Sequence, residues 1–99
     1  MDFIFETMHT YTIDCQYMNG EADFWAAYLA EVKPDGVQDF GRNLDAFWGA
    51  VSRGGPGSPG DCNLHLVNTD GLSTWNNGAF VAGLRRIAVD SKSIEIRIE

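Results

Sequence analysis

Metal-ligating and nucleophilic side chains are scarce in this chain of 99 residues, which has two cysteines and two histidines. His9 and His65 lie far apart, and no CxxC, HxxxH or HExxH spacing sets two soft donors side by side, so no metal site is expected. Cys62 and His65 are neighbours, but an i, i+3 pair on a strand points to opposite faces, which removes the obvious nucleophile–base pair. No catalytic residue and no cofactor is therefore expected. Long apolar runs are also missing, with nothing near the ~18 consecutive residues of a membrane span. The opening stretch MDFIFETMHTYTIDC has neither the basic start nor the apolar core of a secretion leader, so cytoplasmic residence is expected. In a reducing compartment Cys15 and Cys62 read as buried free thiols, although two facing strand cysteines could pair.

Positive charge is the next shortage. Seven Lys and Arg face fourteen Asp and Glu, for a formal net charge of -7. Such a field repels nucleic acid and anionic membranes and steers basic partners in, while also serving solubility. The glycine- and proline-rich run GGPGSPG within Arg53–Gly60 invites comparison with a phosphate cradle. It lacks the Lys-Ser/Thr pair and the following helix, precedes a strand, and loses amide donors at its prolines. It reads as a turn or a rim element.

What is present suffices for one core. The chain is 44% hydrophobic, with 3 Trp, 3 Tyr and 6 Phe, and reads as a single domain over 1–99 with residues 1–9 as an N-terminal extension. Thr10 to Cys15 is rich in β-branched and aromatic residues and predicts a strand, closed by the Met18-Asn19-Gly20 turn. From Glu21 the period becomes helical, with Phe24, Trp25, Tyr28, Leu29 and Val32 on one stripe and Asp23 and Glu31 opposite. Pro34 ends that helix and Asp35-Gly36 turns the chain. A second helix is expected with Asn43 as N-cap, Asp45 in its first turn, and Leu44, Phe47 and Val51 buried. Cys62 to Val67 alternates as a strand; Thr69 to Asn77 is irregular around Trp75. Asn77 is then expected to cap a third helix with the stripe Phe80, Val81, Leu84, Ile87 and Ala88. Ser93 to Glu99, SIEIRIE, is the clearest strand, with one wet face. The order predicts an α/β fold of two layers, a three-stranded, mostly parallel sheet with helices packed on one face.

The segment Asp39 to Ser52, DFGRNLDAFWGAVS, gathers acids and aromatics at a loop and helix edge. Asp35, Asp39 and Asp45 share it with Phe40, Asn43 and Trp48, a composition suited to a protein-binding surface. The pattern leaves Trp48 open to either a core or a surface role.

Within that segment, Phe40-Gly41-Arg42-Asn43-Leu44-Asp45-Ala46-Phe47-Trp48 resembles the signature of the barstar family, intracellular inhibitors of barnase-type ribonucleases. The shared pattern is an aromatic, Gly, any residue, Asn-Leu-Asp-Ala, an apolar residue and Trp, and the order of elements from about residue 10 to 99 is similar too. The resemblance implies a barstar-like fold whose loop and helix plug a basic ribonuclease or nuclease toxin domain in a 1:1 complex, with no direct nucleic-acid or membrane contact. Its implied partner-binding residues are Asp39, Phe40, Gly41, Asn43, Leu44, Asp45, Trp48 and Gly49, with Asp45 imitating a substrate phosphate. Two positions depart from the family pattern: Gly49 replaces its principal aspartate and Asp39 a stacking tyrosine, which implies a target other than a barnase-like enzyme. The family's acidic contact late in the last helix has no clean counterpart, since Arg85 and Arg86 occupy much of that region and Asp90 is only a loose match. The alternatives are a barstar-like interaction module for a non-nuclease partner, and a small hydrolase using Asp39 and Asp45.

Overall fold

Alternating side chains build the sheet. In the computed structural model, which describes residues 9–91 and 94–99, the strands are β1 (His9–Asp14), β2 (Cys62–Val67) and β3 (Ile94–Ile98). Their order is β1-β2-β3 and both pairings are parallel. The register sets Tyr11 beside Leu64 and Leu64 beside Ile96, then Ile13 beside Leu66 and Leu66 beside Ile98. Paired residues of a parallel sheet share a face, so one face carries these apolar rows. The alternate residues Thr12, Asp14, Glu95 and Arg97 are exposed on the other. There the His65 Nε2 lies 3.0 Å from a Glu99 carboxylate oxygen.

The apolar face is covered by α1 (Glu21–Val32), α2 (Leu44–Arg53) and α3 (Ala79–Asp90), which gives the expected two-layer α/β architecture with a wholly parallel sheet. Helix α1 buries Phe24, Trp25, Tyr28 and Val32, leaves Asp23 and Glu31 in solvent, and ends at a left-handed Lys33 before Pro34. Trp25, 1% exposed, is the hub of the core. The rings of Phe24, Tyr28, Phe40, Phe47 and Phe80 surround it at centroid distances of 4.8–6.4 Å, mostly edge-to-face. Such pairs add about 0.5–1.5 kcal/mol each beyond area burial.

Two expectations need correction. Asn77 does not cap α3: Asn76, Asn77 and Gly78 all have positive φ, and the helix starts at Ala79 without a side-chain cap. The left-handed backbone carries the chain into the helix in place of a side-chain oxygen. The stretch Thr69–Gly78 is not plainly irregular but largely 3-10, and Leu72 and Thr69 are its buried residues. Trp75 is only half-buried, against Phe80. The N-terminal extension lies outside the described residues except for His9, which opens β1.

A Cys15–Cys62 disulfide is excluded by register. His9 is the partner of Cys62, and Cys15 lies six residues further along that edge. At about 3.3 Å per residue this separates the two by roughly 20 Å, against an upper limit near 7 Å for a bridge. Both thiols are free and buried, and burial pushes each up from 9.0 to about 11. The folded state thus holds protons that the unfolded chain releases above pH 9. Their contribution to stability is complete below that pH and is lost as pH rises toward 11. Urea melts between pH 8 and pH 11 are expected to show this decline, and a C15A/C62A variant to show a shallower one. An equal slope in the variant would assign the alkaline loss to other groups.

Candidate partner-binding site

The segment from Asp35 to Arg53 is shaped by two anchors. The first is Phe40. A 3-10 turn at Val37–Asp39 brings the chain round, Phe40 is extended, and its ring sits in the core, 5.7 Å from the Trp25 ring and 5.9 Å from Tyr28. Opposite it lies Gly57, from the loop between α2 and β2. Gly57 has φ +85, and a Cβ there would lie 2.6 Å from the Phe40 ring. The Tyr28 hydroxyl donates to the Gly57 carbonyl at 2.6 Å, and the Gly57 amide donates to the Asp35 carbonyl at 3.0 Å. The glycine-rich loop, read from sequence as a turn or rim, is therefore also a wedge under the site.

The second anchor is the start of α2. Arg42 takes a left-handed φ of +54, and Asn43 swings into extended backbone. The Asn43 Oδ1 accepts from the Ala46 amide at 2.7 Å, and its Nδ2 donates to the Gly41 carbonyl at 3.3 Å. The cap satisfies an orphan amide and fixes where the helix begins. Asp45 falls in the first turn, exposed, where the helix dipole favours a carboxylate.

From that start, the helical period distributes the remaining side chains. Phe47, Ala50 and Val51 go inward. Leu44, Asp45 and Trp48 turn toward α3 and line a cleft of about 400 Å3 whose far wall carries Arg86, Ile87 and Asp90. The helices meet closely there because residue 83 is glycine: a Cβ would lie 2.6 Å from Leu44 Cδ1. On the other flank a second cleft of about 330 Å3 has Ala46, Gly49 and Ala50 on one side. Asp39, Gly41, Gly55 and Pro56 form its remaining walls. Arg53 also borders it, with its guanidinium carbon 4.9 Å from the Trp48 ring centroid.

The expected site residues thus fall into three places. Leu44, Asp45 and Trp48 share the α2–α3 cleft with Asp90, while Asp39, Gly41 and Gly49 border the other. Asn43 stands between as the cap, and Phe40, expected at the surface, is only 4% exposed and belongs to the core. Trp48 is half-buried and packs on the core, so its two readings meet in one residue. Arg86, Gly83, Arg53 and Pro56 were not picked out from sequence. A glycine inside the helical stripe of α3 was the one local signal, since it marks a close approach. Among the described residues neither Asp39 nor Asp45 makes an ion pair. No group of three or more His, Cys, Asp or Glu side chains among those residues converges on a metal position. No helix there is long and apolar enough to cross a membrane.

The wedge generates a stability test. Gly57→Ala places a methyl against the Phe40 ring in a left-handed conformation, and is expected to cost more than about 3 kcal/mol. Gly60 has φ +74 but nothing within 4 Å of a Cβ, so Gly60→Ala should cost only about 1–2 kcal/mol. Urea denaturation followed by circular dichroism checks the difference, and equal losses would mean that the Phe40 contact is unimportant. No protein-family model matches the chain, and no curated protein does.

Proposed function

We propose that the chain is a protein-binding inhibitor of a bacterial ribonuclease, an immunity-type protein without chemistry of its own that covers the enzyme's basic active site with Asp39–Ser52. The observation that carries this reading is the capped loop-helix motif. Its local conformation presents Asp39 and Asp45, both exposed, on either side of Asn43. A net charge of -7 supports it by favouring cationic partners. So does the order of strands and helices, which agrees with the architecture that the barstar-like signature implies. In the complex Asp45 would accept charge-assisted hydrogen bonds from an arginine or lysine that otherwise holds RNA phosphate. Trp48 would give that contact an apolar floor. Cytoplasmic residence, protecting the RNA of the producing cell, belongs to the same proposal.

The test is inhibition. Titrating the chain into a panel of basic bacterial ribonuclease domains should abolish RNA cleavage by at least one of them at a 1:1 ratio. Asp45→Ala should then weaken that complex by about 2–5 kcal/mol, the usual cost of truncating a hydrogen-bonded charge at an interface. Asp70→Ala, outside both clefts, should leave it unchanged. Association should also slow with added salt. Inhibition of none, or an Asp45→Ala complex of unaltered affinity with the fold intact, rejects the assignment.

A further inference from the structure

The last strand of the sheet is an edge. Among the described residues β3 pairs with β2 on one side and with no strand on the other. An unpaired edge presents backbone donors and acceptors to any extended chain, and charged side chains on it usually discourage a second copy. In β3 the placement of those charges does the opposite.

The phase of the edge follows from one hydrogen bond. The Glu99 amide donates to the Leu66 carbonyl at 2.8 Å, so it points into the sheet. Successive residues of a strand turn their backbone groups to alternate sides. Glu95 and Arg97 therefore share the phase of Glu99, while the N–H and C=O groups of Ile94, Ile96 and Ile98 face the open edge. The side chains alternate too: Ile94 and Ile96 are buried on the covered face, and Glu95 and Arg97 are exposed on the other.

A second copy of β3 can lie antiparallel along this edge with a two-fold axis at Ile96. Ile96 then opposes its own copy and Ile94 opposes Ile98, and each of these pairs exchanges both backbone hydrogen bonds. Glu95 falls opposite Arg97 at the closer, non-hydrogen-bonded positions, where opposite charges attract. Arg97 already donates to Glu99 at 3.1 Å, but a guanidinium has N–H donors to spare for another carboxylate. Other centres fail. An axis at Arg97 sets Arg97 against its own copy and Glu95 against Glu99, and one at Glu95 sets that carboxylate against itself. An axis at Ile94 or Ile98 overlaps only the strand ends. With the axis perpendicular to the sheet, both copies of α3 lie on one face. There a groove of about 290 Å3 between α3 and β3 is lined by Arg85, Ala88, Val89, Ile96 and Ile98, and its Val89 is 82% exposed. The two grooves would meet over the strand pair.

We propose that two copies of the chain associate through β3, antiparallel about Ile96, to make one continuous sheet. The groove shares no lining residue with either cleft beside α2, so this association leaves Asp39–Ser52 open and does not rest on the ribonuclease reading.

Sedimentation equilibrium of the full chain over a concentration series is expected to show monomer and dimer in exchange. Glu95→Arg sets arginine against arginine at both pairs, Arg97→Glu sets carboxylate against carboxylate, and each should weaken the dimer about tenfold or more. The first variant lowers the net negative charge, so an effect of overall charge alone would strengthen its dimer instead. Both positions are exposed, and circular dichroism checks that each variant is folded. An equimolar mixture of the two variants should associate as the wild type does, because each chain supplies the charge that the other lacks. Hydrogen exchange reads the register: the Ile96 amide should be protected in concentrated protein and exchange faster on dilution, while the Arg97 amide stays protected in both. A monomer at every concentration, a dimer undiminished by Glu95→Arg, a mixture that associates no better than its components, or an Ile96 amide indifferent to concentration each overturns the proposal.

Discussion

The placement of the whole loop-helix surface depends on one buried contact, the seating of Gly57 between the Phe40 ring and the Tyr28 hydroxyl. Three segments distant in sequence meet there: α1, the turn before α2, and the loop after α2. The hydroxyl could not be buried at low cost without an acceptor, and a backbone carbonyl supplies one that no substitution of the loop's side chains removes. With Phe40 held, the chain from Gly41 to Asn43 has little freedom left. The cap at Asn43 then fixes the phase of α2, and that phase decides which residues face α3 and which face the glycine-rich loop. Surface chemistry at Asp39 and Asp45 is in this way set by contacts that are themselves out of solvent.

The two clefts on either flank of α2 have different characters. That toward α3 is built on bulky apolar side chains, Leu44, Trp48 and Ile87, with charges of both signs above them. The opposite one is built on small residues, Gly41, Ala46, Gly49 and Gly55, with Asp39 and Arg53 at its border. A single helix therefore offers an amphipathic ledge on one side and a slot on the other. A partner able to use both would read the separation between them, about the width of the helix, as well as the charges.

Much of this was legible from sequence where the cause is local. Capping by Asn43 needs only the residues that follow it, and the alternation of Ile94, Ile96 and Ile98 needs only a sheet with one covered face. The parallel order followed from strands separated by helices. What could not be read was set by distant partners. Phe40 looked like a surface aromatic because its pocket is made by Gly57, seventeen residues later, and by helix α1. Trp48 lay at the flank of a helical stripe, where a rotation of a few tens of degrees separates core from solvent. Asn77 was read as a cap because its type suits one, but three consecutive left-handed residues carried the turn instead. The fate of the cysteines needed the strand register, which periodicity alone does not give.

The sheet order has a consequence for how the molecule is made. Each pairing joins described strands that are consecutive in the chain, and the paired positions His9 and Cys62 are 53 residues apart. As the chain is synthesised from its N-terminus, β1 has no described partner until β2 has emerged, by which time all of α1, α2 and the glycine-rich loop exist. The hydrogen bonds of helix α2 and its cap are local, so none of them waits for a strand, whereas the burial of Phe47, Ala50 and Val51 does. The Asp39–Ser52 segment is thus complete as a sequence before a sheet exists for it to sit on.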